Sequence, residues 1–135
     1  MTEGSATDML TRLECRDELL HRQVHPDFRP DGRPSHQVFF SRGKNAQDNM
    51  LSVDRGAMRT ADEACRHARS QGRKSDGSCS VLIGECNDMQ LQAYEDPIPE
   101  NSAHAVIDQS HLKRGEREKA AKQLIRYARW FPLEG

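Results

Sequence analysis

Short apolar runs separated by polar loops recur along the chain, and their periodicity predicts most of its secondary structure. Where apolar and polar positions alternate, side chains fall on opposite faces of a strand. This alternation, together with one continuous apolar run at 79–86, predicts strands over residues 19–25, 35–41, 50–53, 79–86 and 103–108, with 91–94 as a further strand or the end of a loop. The run CSVLIGEC at 79–86 is the most apolar, which is typical of a central strand.

Three other stretches place apolar residues at helical spacing. The first predicted helix covers residues 8–18. The second covers 61–70, where Thr60 and Glu63 have the spacing of a capping box. The third follows Ser110 as its N-cap and carries a continuous apolar stripe.

The order of these elements predicts the fold class. Helix, three strands, helix, two or three strands and helix indicate an α+β domain. We expect a single domain with a mixed or mostly antiparallel sheet of about five or six short strands and an N-terminal, a middle and a C-terminal helix. Residues 1–18 are expected to form a tail and short helix, and residues 19–135 the α+β domain itself.

Composition predicts a folded domain with a thin core. Hydrophobic residues make up 35% of the chain, aromatic residues 5%, and the mean hydropathy is −0.89. A chain of 135 residues can nevertheless bury about two-thirds of the surface that its unfolded form exposes. The regular spacing of apolar clusters therefore favours a folded domain over disorder.

Charge is distributed in blocks although the net charge is only −1. Residues 76–108 contain acidic side chains and no lysine or arginine, whereas 113–129 are strongly basic. The basic stretch permits contact with nucleic acid or with an acidic partner. It lacks the interleaved aromatic residues that single-strand binding proteins use, so nucleic-acid binding is only a second alternative for function.

The cysteines and the apolar runs exclude several classes of protein. Cys15, Cys65, Cys79 and Cys86 form no CxxC pair, so no metal site and no cofactor are predicted. Free thiols are typical of a cytosolic protein, which is the expected location. No run approaches the roughly 20 apolar residues of a membrane span. The common phosphate-loop, zinc-protease and serine-hydrolase motifs are also missing.

One group of polar residues lies on predicted strands that could be neighbours in the sheet. Its members are Arg22, His25, Ser35, Gln37 and Ser52. Arginine and glutamine can hold a phosphate or a carboxamide, and histidine can move a proton near neutral pH. Converging polar groups inside an apolar sheet are typical of a pocket. These five residues are therefore the candidate site.

Arg22 also has a purely structural interpretation. Alternation places it among apolar side chains, where a guanidinium needs a carboxylate, several carbonyl acceptors or a ligand. Asp27 and Asp108 are the carboxylates considered for such an ion pair. His104 and Asp108 form another candidate pair, although an ideal strand would hold them about 13 Å apart.

Five stretches resemble a group of small bacterial proteins of unknown function. They are RQVHP at 22–26, DGRPSHQVF at 31–39, LSV at 51–53, VLIGEC at 81–86 and HAVID at 104–108. The resemblance covers the chain from about residue 20 onward. It implies a bacterial cytosolic origin and brings no activity with it.

A second likeness is to ADP-ribosyltransferase-type folds. These place an arginine or histidine on the first strand, a serine on a following strand and a glutamate late in the chain. Arg22 or His25 and Ser35 or Ser41 match the first two positions. Glu100, in the loop before the last predicted strand, is the late glutamate. The likeness implies a nucleotide-like substrate, with NAD as the example.

These observations lead to three hypotheses for function. The leading one is a small bacterial cytosolic accessory domain that binds a protein partner, in a toxin, immunity or phage-defence setting. The first alternative is an enzyme that acts on a nucleotide-like substrate through the Arg, His, Ser and Gln side chains. The second alternative is nucleic-acid binding through the basic C-terminal helix.

Overall fold

Seven strands form the sheet within residues 9–44 and 46–133, which the computed structural model describes. They are β1 (Thr11–Arg12), β2 (Leu19–Gln23), β3 (Met50–Arg55), β4 (Gly77–Leu82), β5 (Gln92–Glu95), β6 (His104–Asp108) and β7 (Arg129–Pro132). Their order across the sheet is β1-β5-β6-β3-β2-β4-β7. Every neighbouring pair is antiparallel.

The helices within this described part are α1 (Ala61–Ser70), α2 (Ile83–Asp88) and α3 (Arg114–Tyr127). The α+β class and the mostly antiparallel sheet are confirmed, with seven strands where five or six were expected. The capping box of α1 is also confirmed. Thr60 Oγ1 accepts from the Glu63 N–H at 3.1 Å, and Glu63 Oε1 accepts from the Thr60 N–H at 2.8 Å. No described helix is long and apolar enough to span a membrane.

The hydrophobic core lies on one face of the sheet. Leu20, Val53 and Ile107 point from the strands toward Phe39 and Leu124, and all five are buried. Burying a side chain of this size contributes roughly 1.5–3 kcal/mol, so this layer supplies most of the driving force for folding. It also fixes the register of the strands, because a slip of one residue would expose the apolar set.

The opposite face of the sheet is covered only in part. Helix α1 packs over β2 and β4 through Ala64, Cys65 and Ala68. These small side chains let the helix lie close to the strands, as its narrow stripe predicts. The surface beneath it is polar, with Ser78 and Ser80 fully buried. His21 lies on this face opposite Ser80, whereas Arg22 leaves β2 on the core face with Leu20.

The predicted N-terminal helix is wrong for residues 9–18, and Asp8 lies outside the described residues. The segment is extended instead, and β1 joins the edge of the sheet beside β5. The Leu13 N–H donates to the Ala93 carbonyl at 2.8 Å, and the Leu13 side chain is buried in the core. A sheet edge with open hydrogen-bonding groups outweighs a short run of helical spacing.

The predicted strand at 35–41 is also wrong. Residues His36–Phe39 form a 3-10 turn, in which the Ser35 side chain accepts from the Gln37 N–H. Val38 and Phe39 are both fully buried between the sheet and α3. Two consecutive residues cannot enter one core from a strand, but they can from a tight turn.

Two further boundaries differ from the prediction. The run 79–86 divides into the end of β4 and the short helix α2, because the Glu85 side chain accepts from the Leu82 N–H at 2.8 Å and caps the turn. Helix α3 follows Lys113 as its N-cap, and Ser110 lies outside it. Beyond α3, β7 adds an unpredicted edge strand beside β4, and its Trp130 packs against the core.

Candidate functional site

Arg22 fills a split between two central strands. The ladder between β2 and β3 contains only the pairs Leu20 with Arg55 and His21 with Asp54. Beyond His21 the strands separate, and the Arg22 guanidinium spans the gap. Its Nε donates to the Val38 carbonyl at 2.9 Å and its Nη1 to the Ser52 carbonyl at 2.9 Å.

The partners of Arg22 are therefore backbone carbonyls. Neither Asp27 nor Asp108 forms the ion pair considered from the sequence. Asp108 accepts from the Ser110 N–H at 2.8 Å, and Asp27 lies 3.5 Å from His25. Of the partners that a guanidinium among apolar side chains can have, the fold therefore supplies Arg22 with carbonyl acceptors.

The other four predicted site residues lie in different surroundings. Ser52 contributes its carbonyl to Arg22, and its side chain is exposed. His25 accepts from the Asp27 N–H at 3.0 Å at the start of a turn, and Ser35 caps the turn at His36–Phe39. Gln37 contacts the neighbouring His36 ring. The structure brings Arg22 and Ser52 together, whereas any chemical role of His25, Ser35 and Gln37 stays a prediction.

A polar cleft, the basic cleft, lies beside α1 on the partly covered face of the sheet. Its volume is about 280 Å³, and its lining includes Ser52, His67, Gln71, Arg73, Glu100 and His104. A recess of about 30 Å³ shares Ser52, Arg73 and His104 with the cleft and has Arg22 and Asp54 in its wall. The predicted residues Arg22 and Ser52 therefore belong to a larger site.

Two arginines, Arg22 and Arg73, line the recess beside the basic cleft. Burial, followed by the charge of Arg73, lowers the pKa of Arg22 to about 10, so Arg22 remains charged at neutral pH. Neither guanidinium forms an ion pair with a carboxylate of the described chain. Asp54 also lines the recess, but it accepts from Asn101 at 2.6 Å and lies 3.7 Å from Arg59.

Two histidines line different walls of the basic cleft. His67 projects from α1, and its Nε2 is buried without a hydrogen-bond partner. His104 lies on β6, where its Nδ1 is 2.9 Å from the Asp96 carbonyl and 3.2 Å from the Asp96 carboxylate. This pairing orients the ring and leaves Nε2 available to a ligand. His104 and Asp108 therefore have separate partners, as their expected distance along the strand requires: Asp96 for His104 and the Ser110 N–H for Asp108.

A second histidine network is sealed beneath α1. His21 is 3% exposed and lies opposite Ser80 on β4 and Asp54 on β3. Its Nε2–H donates to the Arg59 carbonyl at 3.0 Å, so its Nδ1 accepts from the Ser80 hydroxyl at 2.6 Å. Ser80 is fully buried, and this arrangement is structural.

We expect His21 to make stability depend on pH. Burial lowers the pKa of His21 below its ordinary value of 6.5. The unfolded chain therefore takes up a proton as the pH falls below about 6.5, while the folded protein resists protonation, and stability is lost. Above that pH the neutral ring contributes its full stability. One proton changes the free energy of unfolding by at most about 1.4 kcal/mol per pH unit.

Urea denaturation of the native protein and of His21→Gln between pH 7.5 and 5 measures this dependence. The difference in unfolding free energy between the two proteins should shrink as the pH falls. A constant difference across that range would show that His21 does not carry the linkage.

A groove of about 770 Å³ lies on the other side of His21. Its lining includes Leu19, Ala57 and Phe131, with Asp17 and Asp62 at exposed positions. Glu18 also lines the groove, but it is buried and holds Arg55 through two hydrogen bonds of 2.9 and 3.0 Å. Asp17 and Asp62 have no ion-pair partner among the described residues.

Only one of the four thiols is accessible. Cys15 is exposed, whereas Cys65, Cys79 and Cys86 are buried. Burial raises the pKa of Cys79 and of Cys86 to about 12, so neither provides a thiolate at neutral pH. We expect a thiol reagent to label the native protein once, at Cys15, and the unfolded protein four times. Mass spectrometry of native, denatured and Cys15→Ser samples tests this, and rapid labelling of the native variant would contradict it.

Sequence patterns indicated only part of the basic cleft. His67 follows Ala64 by three residues, so helical spacing places it at the edge of the buried stripe. That spacing could have indicated its position. Arg73 and Glu100 lie in loops, where periodicity carries no information about direction.

Comparison of the chain with models of protein families, with curated proteins and with solved structures finds no match.

Proposed function

We propose that the protein binds a small phosphate-bearing ligand in the basic cleft. The observation that carries the proposal is that Arg22 and Arg73 line one recess, which shares Ser52, Arg73 and His104 with the basic cleft, and that neither arginine has an ion-pair partner among the described residues. Two like charges held together raise the free energy of the unliganded protein, and an anion between them relieves this repulsion. Arginine forks also match the geometry of phosphate oxygens.

The remaining side chains fit the same ligand. Ser52 and Gln71 can donate hydrogen bonds to phosphate oxygens, and His104 is oriented by Asp96. A volume of about 280 Å³ is at the small end of ligand pockets. The cleft therefore suits the phosphoryl end of a nucleotide-like ligand and is too small for all of NAD.

Titration with inorganic phosphate tests the proposal. We expect phosphate to raise the melting temperature of the native protein, because it binds only the folded state. Arg73→Ala should weaken binding about tenfold or more, since a charge-assisted hydrogen bond is lost. Arg66→Ala is the matched control, because Arg66 is exposed on α1 and lies outside the cleft lining. Equal affinity in both variants would overturn the proposal.

Glu100 provides a test in the opposite direction. Its exposed carboxylate lines the basic cleft and opposes an incoming anion. Glu100→Gln keeps the shape of the side chain and removes its charge, so phosphate should bind more tightly. Weaker binding would show that phosphate does not occupy the cleft.

The large groove supports a second candidate function, the binding of a protein partner. Its apolar floor, the half-exposed Phe131 and the unpaired Asp17 and Asp62 are complementary to a basic segment with apolar side chains. The cytosolic setting in toxin, immunity or phage-defence systems stays a hypothesis tied to this candidate.

Fluorescence anisotropy with a labelled peptide of lysine and leucine tests the groove. This peptide should bind the native protein more tightly than a peptide of glutamate and leucine. Phe131→Ala and Asp17→Asn should each weaken that binding, whereas Tyr127→Ala, on the exposed side of α3, should not. Equal binding of the two peptides would remove this candidate.

A further inference from the structure

A row of side chains leads from the basic cleft across the half of the sheet that α1 does not cover. Ser52 on β3 lies opposite Val106 on β6, and Val106 lies opposite Tyr94 on β5. Tyr94 in turn lies opposite Arg12 on the edge strand β1. Directly opposed residues of antiparallel strands share one face of the sheet. All four side chains therefore lie on the face that carries the cleft.

This half of the face has no helix packed across it in the described structure. Helix α1 contacts β2, β4 and β7, whereas α2 and α3 pack on the core side. Ser52 and Arg12 are exposed and Tyr94 is partly exposed, whereas Val106 between Ser52 and Tyr94 is 5% exposed. The Tyr94 hydroxyl has no hydrogen-bond partner among the described residues, so no contact of that kind fixes the ring to the protein. A flat apolar group can reach this ring from solvent.

The distance from the cleft to the ring suits a nucleotide. Neighbouring strands are 4.7–4.9 Å apart, so Tyr94 lies about 10 Å from Ser52 across two strands. A phosphate near Arg73 and a base over Tyr94 would be joined by a ribose above Val106. A single aromatic ring on the row provides stacking for one base.

We propose that the ligand of the basic cleft is a free nucleoside monophosphate whose base stacks on Tyr94. This inference rests on the proposed phosphate site and adds the residue that selects the base-bearing ligand. Stacking on an aromatic side chain strengthens binding about tenfold or more per base. Tyr94 is then a binding residue that makes the protein bind nucleotides more tightly than phosphate esters without a base.

Calorimetric titration with inorganic phosphate, ribose 5-phosphate and AMP tests the assignment. In the native protein AMP should bind at least tenfold more tightly than ribose 5-phosphate. Tyr94→Ala should reduce AMP binding to the level of ribose 5-phosphate and leave phosphate binding unchanged. Tyr94→Phe keeps the ring and should keep the preference. Tyr127→Ala is the matched control, because Tyr127 is exposed on α3.

The outcomes separate this inference from the proposed function. Equal binding of AMP and ribose 5-phosphate, or a Tyr94→Ala variant that retains the preference, overturns the stacking site and leaves the phosphate site standing. If the native protein binds neither inorganic phosphate nor either phosphate ester, the phosphate site and the stacking site are both overturned. A 5′-phosphorylated oligoadenylate that binds more tightly than AMP overturns the assignment to a free mononucleotide. A melting curve for each variant establishes that it is folded.

Discussion

Arg22→Ala should lower the free energy of unfolding by about 2–4 kcal/mol. The guanidinium donates to the carbonyls of Val38 and Ser52, where the ladder between β2 and β3 has ended. Truncation removes both donors and leaves two carbonyl groups beside a gap in the sheet. Unpaired polar groups in such a place cost more than the hydrogen bonds themselves contribute. The midpoint of urea denaturation measures the loss.

Two variants make this result specific to Arg22. Arg66→Ala removes an exposed guanidinium from α1 and should change stability by less than about 0.5 kcal/mol. Arg22→Lys keeps the charge but cannot donate to two separate carbonyls in the same way, so it should recover only part of the loss. If Arg22→Ala unfolds at the same urea concentration as the native protein, the predicted structural role is wrong. Water then replaces the guanidinium, and Arg22 contributes only to ligand binding.

Gly77→Ala should destabilise the protein by about 3 kcal/mol or more, because a methyl group has no space at this position. Gly77 opens β4 opposite Pro132 on β7, with φ of +155°. A Cβ atom there would meet the backbone oxygen of Phe131 and lie 2.7 Å from the Cα of Pro132. Backbone atoms cannot move aside as a flexible side chain can, so β7 must separate from β4.

Gly115→Ala is the control for this substitution. Gly115 lies in the first turn of α3 with open space around its Cα, and alanine should stabilise the helix by about 0.5–1 kcal/mol. Thermal denaturation should therefore move in opposite directions for the two variants. A Gly77→Ala protein as stable as the native one would show that β7 does not pack closely against β4 at this point.

Local sequence signals were sufficient where one element determined its own structure. The capping box at Thr60 and Glu63 defines the start of α1, and alternation placed β2, β3 and β6 close to their observed bounds. A capping box and an alternating pattern depend only on residues that are close together in the chain, so both can be recognised from the sequence alone.

The same signals were misleading where a distant strand offered better partners. Residues 9–18 have helical spacing, yet the Leu13 backbone pairs with Ala93 and the segment becomes part of the sheet edge. The stretch 35–41 alternates like a strand, but Val38 and Phe39 enter the core together from a turn. Burial and long-range hydrogen bonds outweigh the weak local preferences of such short segments.

The sequence by itself determined the α+β class, the middle helix and most strands, and it indicated Arg22 and Ser52 as candidate site residues. Only the tertiary structure decided that Arg22 bonds to carbonyls in a split sheet and that Arg73 and His104 join its recess to the cleft lined by His67. The physical reason is that a site depends on where side chains from separate elements converge. That convergence follows from the strand order and from the packing of α1, which no periodicity along the chain specifies.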